Sequence, residues 1–113
     1  MALPHAAYGA VFDLRCGGQD LRQFSSIALA KTAEQELIRL TVPKGKSMPE
    51  HHVPGEVSLL CLEGEVVVEA HGGSQILRPG QMLVLAGGQA HALRAEQDSL
   101  LLLTILLVKP MTY

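Results

Sequence analysis

The 113-residue chain is 48% hydrophobic and 18% charged, which supplies the apolar core of one folded domain and argues against disorder. Its net charge of −2, with lysine and arginine scattered along the sequence, leaves no basic stripe of the kind that binds nucleic acid. Two cysteines, Cys16 and Cys61, are too few for a disulfide scaffold and fit a reducing compartment, and a single pairing between them stays open.

The sequence predicts no membrane helix. Its most apolar run, residues 100–108, is interrupted only by Thr104 and falls far short of the roughly 20 residues that cross a bilayer. The first residues lack the basic start and long apolar run of a secretory signal. We therefore expect a cytoplasmic protein that binds neither membrane nor nucleic acid.

The chain divides into two parts. Residues 1–23 are undecided between a short strand, to which Tyr8, Val11 and Phe12 would contribute, and an arm that packs on a partner. Residues 24–113 carry the strand pattern and form one predicted domain.

Strands in this domain are indicated by period-two alternation and by glycine and proline turns. Ile38, Leu40 and Val42 alternate with polar neighbours, so two strands are favoured over a helix across residues 28–40, although that stretch contains enough helix formers for one. The predicted strands cover residues 24–30, 36–42, 57–62, 65–71, 75–78, 82–86, 90–95 and 99–108, with an irregular segment at 43–55 and a hairpin loop at Gly72-Gly73. Seven to nine short strands without a convincing helix predict an all-β sandwich or barrel.

The last strand carries an expectation about assembly. Residues 100–108 are apolar on both faces, whereas a strand with one face in water should alternate. A long apolar face left bare would invite aggregation, and a second subunit is the economical cover. We therefore expect a homodimer.

The order of turns, glycines and histidines resembles the cupin superfamily. One cupin motif is a glycine, five residues, Pro-x-Gly, two residues, a histidine, three residues and an asparagine. Gly80, Gly88 and His91 match it at the right spacings, with Ala86 in place of the proline and Ala95 in place of the asparagine.

The other cupin motif is a glycine, five residues, His-x-His, three or four residues, a glutamate, six residues and a glycine. Gly45, His51 and Gly64 match it at the right spacings. Val53 stands at the second histidine position and Val57 at the glutamate position. The resemblance implies a single cupin-type β-barrel, a double-stranded β-helix of the jelly-roll kind, for the domain at 24–113.

The resemblance also implies where a metal would bind. Cupin sites generally present three imidazoles and one carboxylate to the barrel interior, a ligand set that suits iron, manganese, nickel, copper or zinc. Here His51 and His91 remain, and two imidazoles alone hold a metal weakly. His52 and Glu56 stand beside the two vacated positions, and a bulge at Pro54-Gly55 would be needed to turn them inward.

Each of these residues has a simpler interpretation. His51 and His91 could line a pocket and hydrogen-bond a ligand or water, while His52 and Glu56 could be exposed. The predicted inward face would then show an apolar lining, consisting of Val53, Val57, Leu59 and Cys61.

Two functions follow from these alternatives. The first is a barrel that binds a small organic molecule, with an incomplete or weak metal centre. The second is a metal-dependent enzyme of the cupin kind, such as a dioxygenase, decarboxylase or isomerase. The valines at two expected ligand positions favour the first.

Overall fold

The computed structural model describes residues 5–15 and 20–108, which contain nine β-strands and no helix. The strands are β1 (Ser25–Lys31), β2 (Gln35–Val42), β3 (Ser47–His51), β4 (Val57–Glu63), β5 (Val66–Ala70), β6 (Gly73–Leu77), β7 (Met82–Leu85), β8 (His91–Ala95) and β9 (Ser99–Leu106). Cys16 lies outside the described residues.

The strands form two antiparallel sheets. The five-stranded sheet has the order β1-β2-β9-β4-β7, and the four-stranded sheet has the order β3-β8-β5-β6. Strands distant in sequence therefore become neighbours, as β9 does when it pairs with both β2 and β4. The prediction of an all-β barrel of seven to nine strands is confirmed.

A hydrophobic core lies between the sheets because alternate residues of each strand point inward. In β4 the buried residues are Val57, Leu59 and Cys61, and the residues between them are partly exposed. The core cluster draws on both sheets and consists of Leu40, Val42, Leu59, Cys61, Val66, Val68, Leu77, Leu93, Ala95 and Leu101.

The outer face of β9 is partly covered by the same chain. Leu100 is only 1% exposed, and its neighbours in the sheet are Thr41 on one side and Glu63 on the other. The Thr41 hydroxyl donates to the carbonyl of Gln23 at 2.8 Å, and the guanidinium of Arg15 contacts the carbonyl of Leu62 at 3.5 Å. The N-terminal segment thus approaches one end of this face. The sequence predicted a second subunit as the cover and did not predict this contribution from the same chain.

Two local predictions are corrected by the structure. The segment at 43–55, predicted to be irregular, contains β3. Its Pro49 lacks an N–H but lies on an edge strand, where a missing donor is tolerated. The β5–β6 hairpin loop is His71-Gly72, because Gly73 already pairs with Ala70 in the ladder. Residues 5–15 contain no strand, and the side chains of Tyr8 and Val11 are exposed.

Candidate functional site

His51 and His91, 40 residues apart in sequence, lie side by side in the structure. They are register partners at the end of the β3–β8 ladder, and their ring centroids are 4.4 Å apart with the planes tilted by 58°. The strand register shifts between Met48 and His51, so the irregular backbone lies just before the first histidine. His91 is 9% exposed, whereas His51 opens to solvent.

Both imidazoles are oriented by the same kind of backbone contact. Nδ1 of His51 lies 3.1 Å from the carbonyl oxygen of Pro49, and Nδ1 of His91 lies 3.0 Å from that of Gln89. A carbonyl oxygen can only accept a hydrogen bond, so each Nδ1 carries the proton in the neutral ring. Each Nε2 is then left with a lone pair for a ligand, which is the arrangement that metal-binding histidines use.

Glycine turns allow the loop that follows His51 and the loop that precedes His91 to approach each other. The Gly88 N–H donates to the carbonyl of Val53 at 2.8 Å, and Gly88 has a left-handed φ of 80°. A Cβ at Gly87 would collide with the carbonyl oxygen of Pro54. The loop after β3 and the loop before β8 are therefore in direct backbone contact.

The other two members of the expected metal set do not complete the site. His52 and Glu56 are both exposed. Within residues 5–15 and 20–108, no three His, Cys, Asp or Glu side chains come together in a group that could hold a metal ion. The two imidazoles supply half of a four-ligand set, and the residues around them do not fit the full cupin metal centre.

The expected lining residues take different positions. Val53 is partly exposed, while Val57 and Leu59 are buried. Cys61 is fully buried in the core as a free thiol, and its burial raises the pKa of the thiol. A thiol that stays protonated is a poor nucleophile, so Cys61 packs rather than reacts.

An opening in the barrel wall lies near the histidine pair, although neither His51 nor His91 lines it. It is a groove of about 670 Å³ between β5 and β6 on one side and β7 on the other. Ala70, the register partner of His91, lies in its wall. A second cavity of about 490 Å³ adjoins the groove at the β5–β6 hairpin and reaches Glu50 and Ala90, the sequence neighbours of the two histidines.

Sequence reasoning missed the polar residues of this groove. Gln75 lines it on β6, Gln81 lies just before β7, and His71 stands at the hairpin tip. The sequence did contain an indication for Gln75. It lies two residues from both Gly73 and Leu77, and residues two apart on a strand share a face, so Gln75 falls on the inward side of β6.

The part of the chain that the structure describes contains no helix long and apolar enough to cross a membrane. None of the curated proteins matches this chain.

Several solved structures resemble the fold. A conserved protein of unknown function from Streptococcus pyogenes is 21% identical with a TM-score of 0.78, and the match covers 97% of each chain. A cupin superfamily protein from Desulfitobacterium hafniense is 24% identical with a TM-score of 0.73, covering 76% of this chain and 79% of that one. KdgF from Halomonas sp. is 21% identical with a TM-score of 0.69, covering 80% and 87%. At these identities the likeness shows the fold.

The family assignment rests on a sequence match of its own. The family model for the cupin domain matches residues 38–108, which is more than half of the chain and includes both histidine motifs. With a cupin sequence pattern, two facing antiparallel sheets and cupin structural neighbours, the chain belongs to the cupin domain family.

Proposed function

We propose that this cupin barrel binds a small organic molecule, with His51 and His91 as its polar anchors. The observation that carries the proposal is the contact between the two rings, each with Nδ1 held by a backbone carbonyl and Nε2 free. A largely apolar cavity with a few oriented polar groups is the usual form of a small-molecule site.

The same pair of imidazoles predicts weak metal binding at the site. Two imidazoles without a third ligand bind a divalent transition metal weakly, because each missing ligand is replaced by water. The enzyme alternative, a metal-dependent dioxygenase, decarboxylase or isomerase, requires a tightly held metal with an open position. The two imidazoles alone do not meet that requirement.

The test combines metal analysis with fragment binding on the purified protein. We expect well under one transition metal per chain without added metal, and a weak Zn²⁺ complex that loses at least about tenfold in affinity in His51→Ala or His91→Ala. Small organic fragments found by NMR should shift the ring signals of both histidines and lose affinity in the same variants.

His52→Ala is the matched control, because it removes an exposed imidazole beside the pair. Zn²⁺ and fragment affinities should be unchanged in this variant. One tightly bound metal per chain, lost in His51→Ala, would support the enzyme alternative instead. Fragments that bind equally well to wild type and to both pair variants would contradict the proposal.

We also propose that the protein is a homodimer that buries an apolar patch on the outer face of the five-stranded sheet. The patch consists of Met82, Val84 and Leu106, which are 54%, 62% and 44% exposed. Val84 pairs with Ser58, and Ser58 pairs with Thr104, two residues before Leu106, so the patch continues across three strands.

A further inference from the structure

The groove exists because the two sheets separate along one side of the barrel. Strand β6 is the edge of the four-stranded sheet, β7 is the edge of the five-stranded sheet, and no ladder joins them. Core residues Val68 and Leu77 reach its wall, as do Leu83 and Leu85 on the facing strand. The groove thus lies between two strand edges, and its base consists of apolar side chains that are largely buried.

One polar side chain stands where the strand pattern calls for an apolar one. Gln75 pairs with Val68, which is 2% exposed and belongs to the core, so both project toward the barrel interior. The Gln75 amide takes no part in the side-chain hydrogen bonds among residues 5–15 and 20–108, and it lies exposed in the groove. Its two donors and its acceptor oxygen are available to a ligand.

Among residues 5–15 and 20–108, those that line the groove carry no carboxylate, ammonium or guanidinium group. Besides apolar residues it presents Gln75, Gln81, Ser74 and His71. The nearest guanidinium in sequence, that of Arg78, is turned to the Glu65 carboxylate at 2.9 Å. A charged ligand would lose water here without gaining an opposite charge, whereas hydroxyl and amide groups would find partners.

The hairpin tip adds a polar group at the rim. His71 has a positive φ of 54° in a two-residue loop, where glycine, asparagine and aspartate are the usual residues. Its side chain borders both the groove and the adjoining cavity. Its imidazole can therefore hydrogen-bond a molecule in the groove, whereas the adjoining cavity is lined by the carboxylates of Glu50 and Glu69 and lies outside the uncharged wall.

We propose that the groove selects an uncharged organic molecule with an apolar body and hydroxyl or amide groups, held by Gln75, Gln81 and His71. This inference rests on the proposed small-molecule function and names the chemical class that the barrel accepts. The Gln81 side-chain oxygen already accepts the Arg78 N–H at 2.9 Å, so Gln81 offers its amide N–H groups to the ligand. Gln75 supplies both donor and acceptor.

The inference includes a charge rule: the groove binds uncharged molecules more tightly than charged ones. Benzamide, benzoate and benzamidinium test this rule, because they share one ring and differ chiefly in the charge of a planar head group. Each is titrated into the ¹⁵N-labelled 113-residue protein at pH 7.5. We expect benzamide to bind with a Kd on the order of millimolar, as its size allows, and to shift the amide signals of Gln75, Gln81 and His71. Benzoate and benzamidinium should bind at least about tenfold more weakly.

Charge placed in the wall should reverse this order. Gln75→Glu keeps the side-chain shape and should weaken benzamide while strengthening benzamidinium, since the new carboxylate offers a charge-assisted partner. Gln97→Glu makes the same change at an exposed position that does not line the groove and should leave all three affinities unchanged. His71→Asn removes the imidazole but suits the left-handed backbone, and it should weaken benzamide without loss of fold.

Equal affinity for the three probes, or shifts confined to other surfaces, would overturn the inference. Its failure is separable from that of the proposed function. If other fragments depend on His51 and His91 while the charge rule fails, only the groove assignment is wrong. If benzamide obeys the charge rule while no fragment depends on the histidine pair, the groove assignment is supported and the role of the histidines as anchors is contradicted.

Discussion

Gly87 controls how closely the two loops of the histidine pair can approach. Any side chain there would meet the Pro54 carbonyl, and Gly88 donates to Val53 in the same contact. The backbone of one loop thus limits the position of the other, and with it the separation of the two rings.

We therefore predict that Gly87→Ala lowers the free energy of unfolding by about 1–3 kcal/mol, because the added methyl forces the loops apart. The measurement is urea denaturation, together with the ring signals of His51 and His91. Gly73→Ala is the control, since nothing lies within 4 Å of its added Cβ and its φ is not positive. A Gly87→Ala variant as stable as the control would show that the loops yield easily.

At the scale of the strands, β9 is the central strand of its sheet. Leu101 is fully buried between Leu40 of β2 and Cys61 of β4. We expect Leu101→Ala to lower the free energy of unfolding by about 2–5 kcal/mol, the usual range for a large cavity in a packed core. Ile76→Ala, on edge strand β6 with 47% exposure, should cost under about 1 kcal/mol. Similar losses in urea denaturation for both variants would contradict this ranking.

Most strands were predictable because their alternation is visible locally. Ile38, Leu40 and Val42 alternate with polar residues, and this periodicity gave β2 correctly against the helical alternative. Strand β3 was missed because Pro49 and the neighbouring glycine turns indicate a loop. What makes β3 a strand is its pairing with β8, a long-range contact that no local pattern reveals.

The candidate site was predictable to a similar degree. The motif spacings identified His51 and His91, and the structure brings their rings together. The groove was not predicted, since it depends on where two sheet edges separate rather than on any sequence signature. The two-residue spacing between Gln75 and Leu77 indicated that they share a face of β6. Only the pairing of Gln75 with Val68 shows that this face is the interior one.

At the scale of the whole molecule, the outer face of β9 is covered unevenly. Near Leu100 the chain's own N-terminal segment makes contacts, whereas Leu106 at the other end is exposed beside Val84. A second copy is the proposed cover for this exposed end, which contains the apolar patch.

We predict that the wild-type protein sediments at twice the mass of one chain at micromolar concentration. The double variant Val84→Lys/Leu106→Lys should sediment as a monomer, because burying two ammonium groups in an apolar interface opposes association. Ile76→Lys introduces the same charge at an exposed apolar position on the other sheet and should stay dimeric. A monomeric wild type, or a dimeric double variant, would contradict the proposed interface.

The position of His51 at the end of β3 has a consequence for how the site behaves over time. This edge strand has β8 as its only sheet neighbour, with few register pairs. Met48 packs against the core, and the other residues of the strand face solvent. Its detachment should require far less free energy than melting of the barrel, so the imidazole pair would separate and re-form while the fold persists. Warming should accordingly abolish ligand binding at the histidine pair well below the temperature at which the barrel unfolds. A ligand that contacts both rings would stabilise the pairing of this strand with β8.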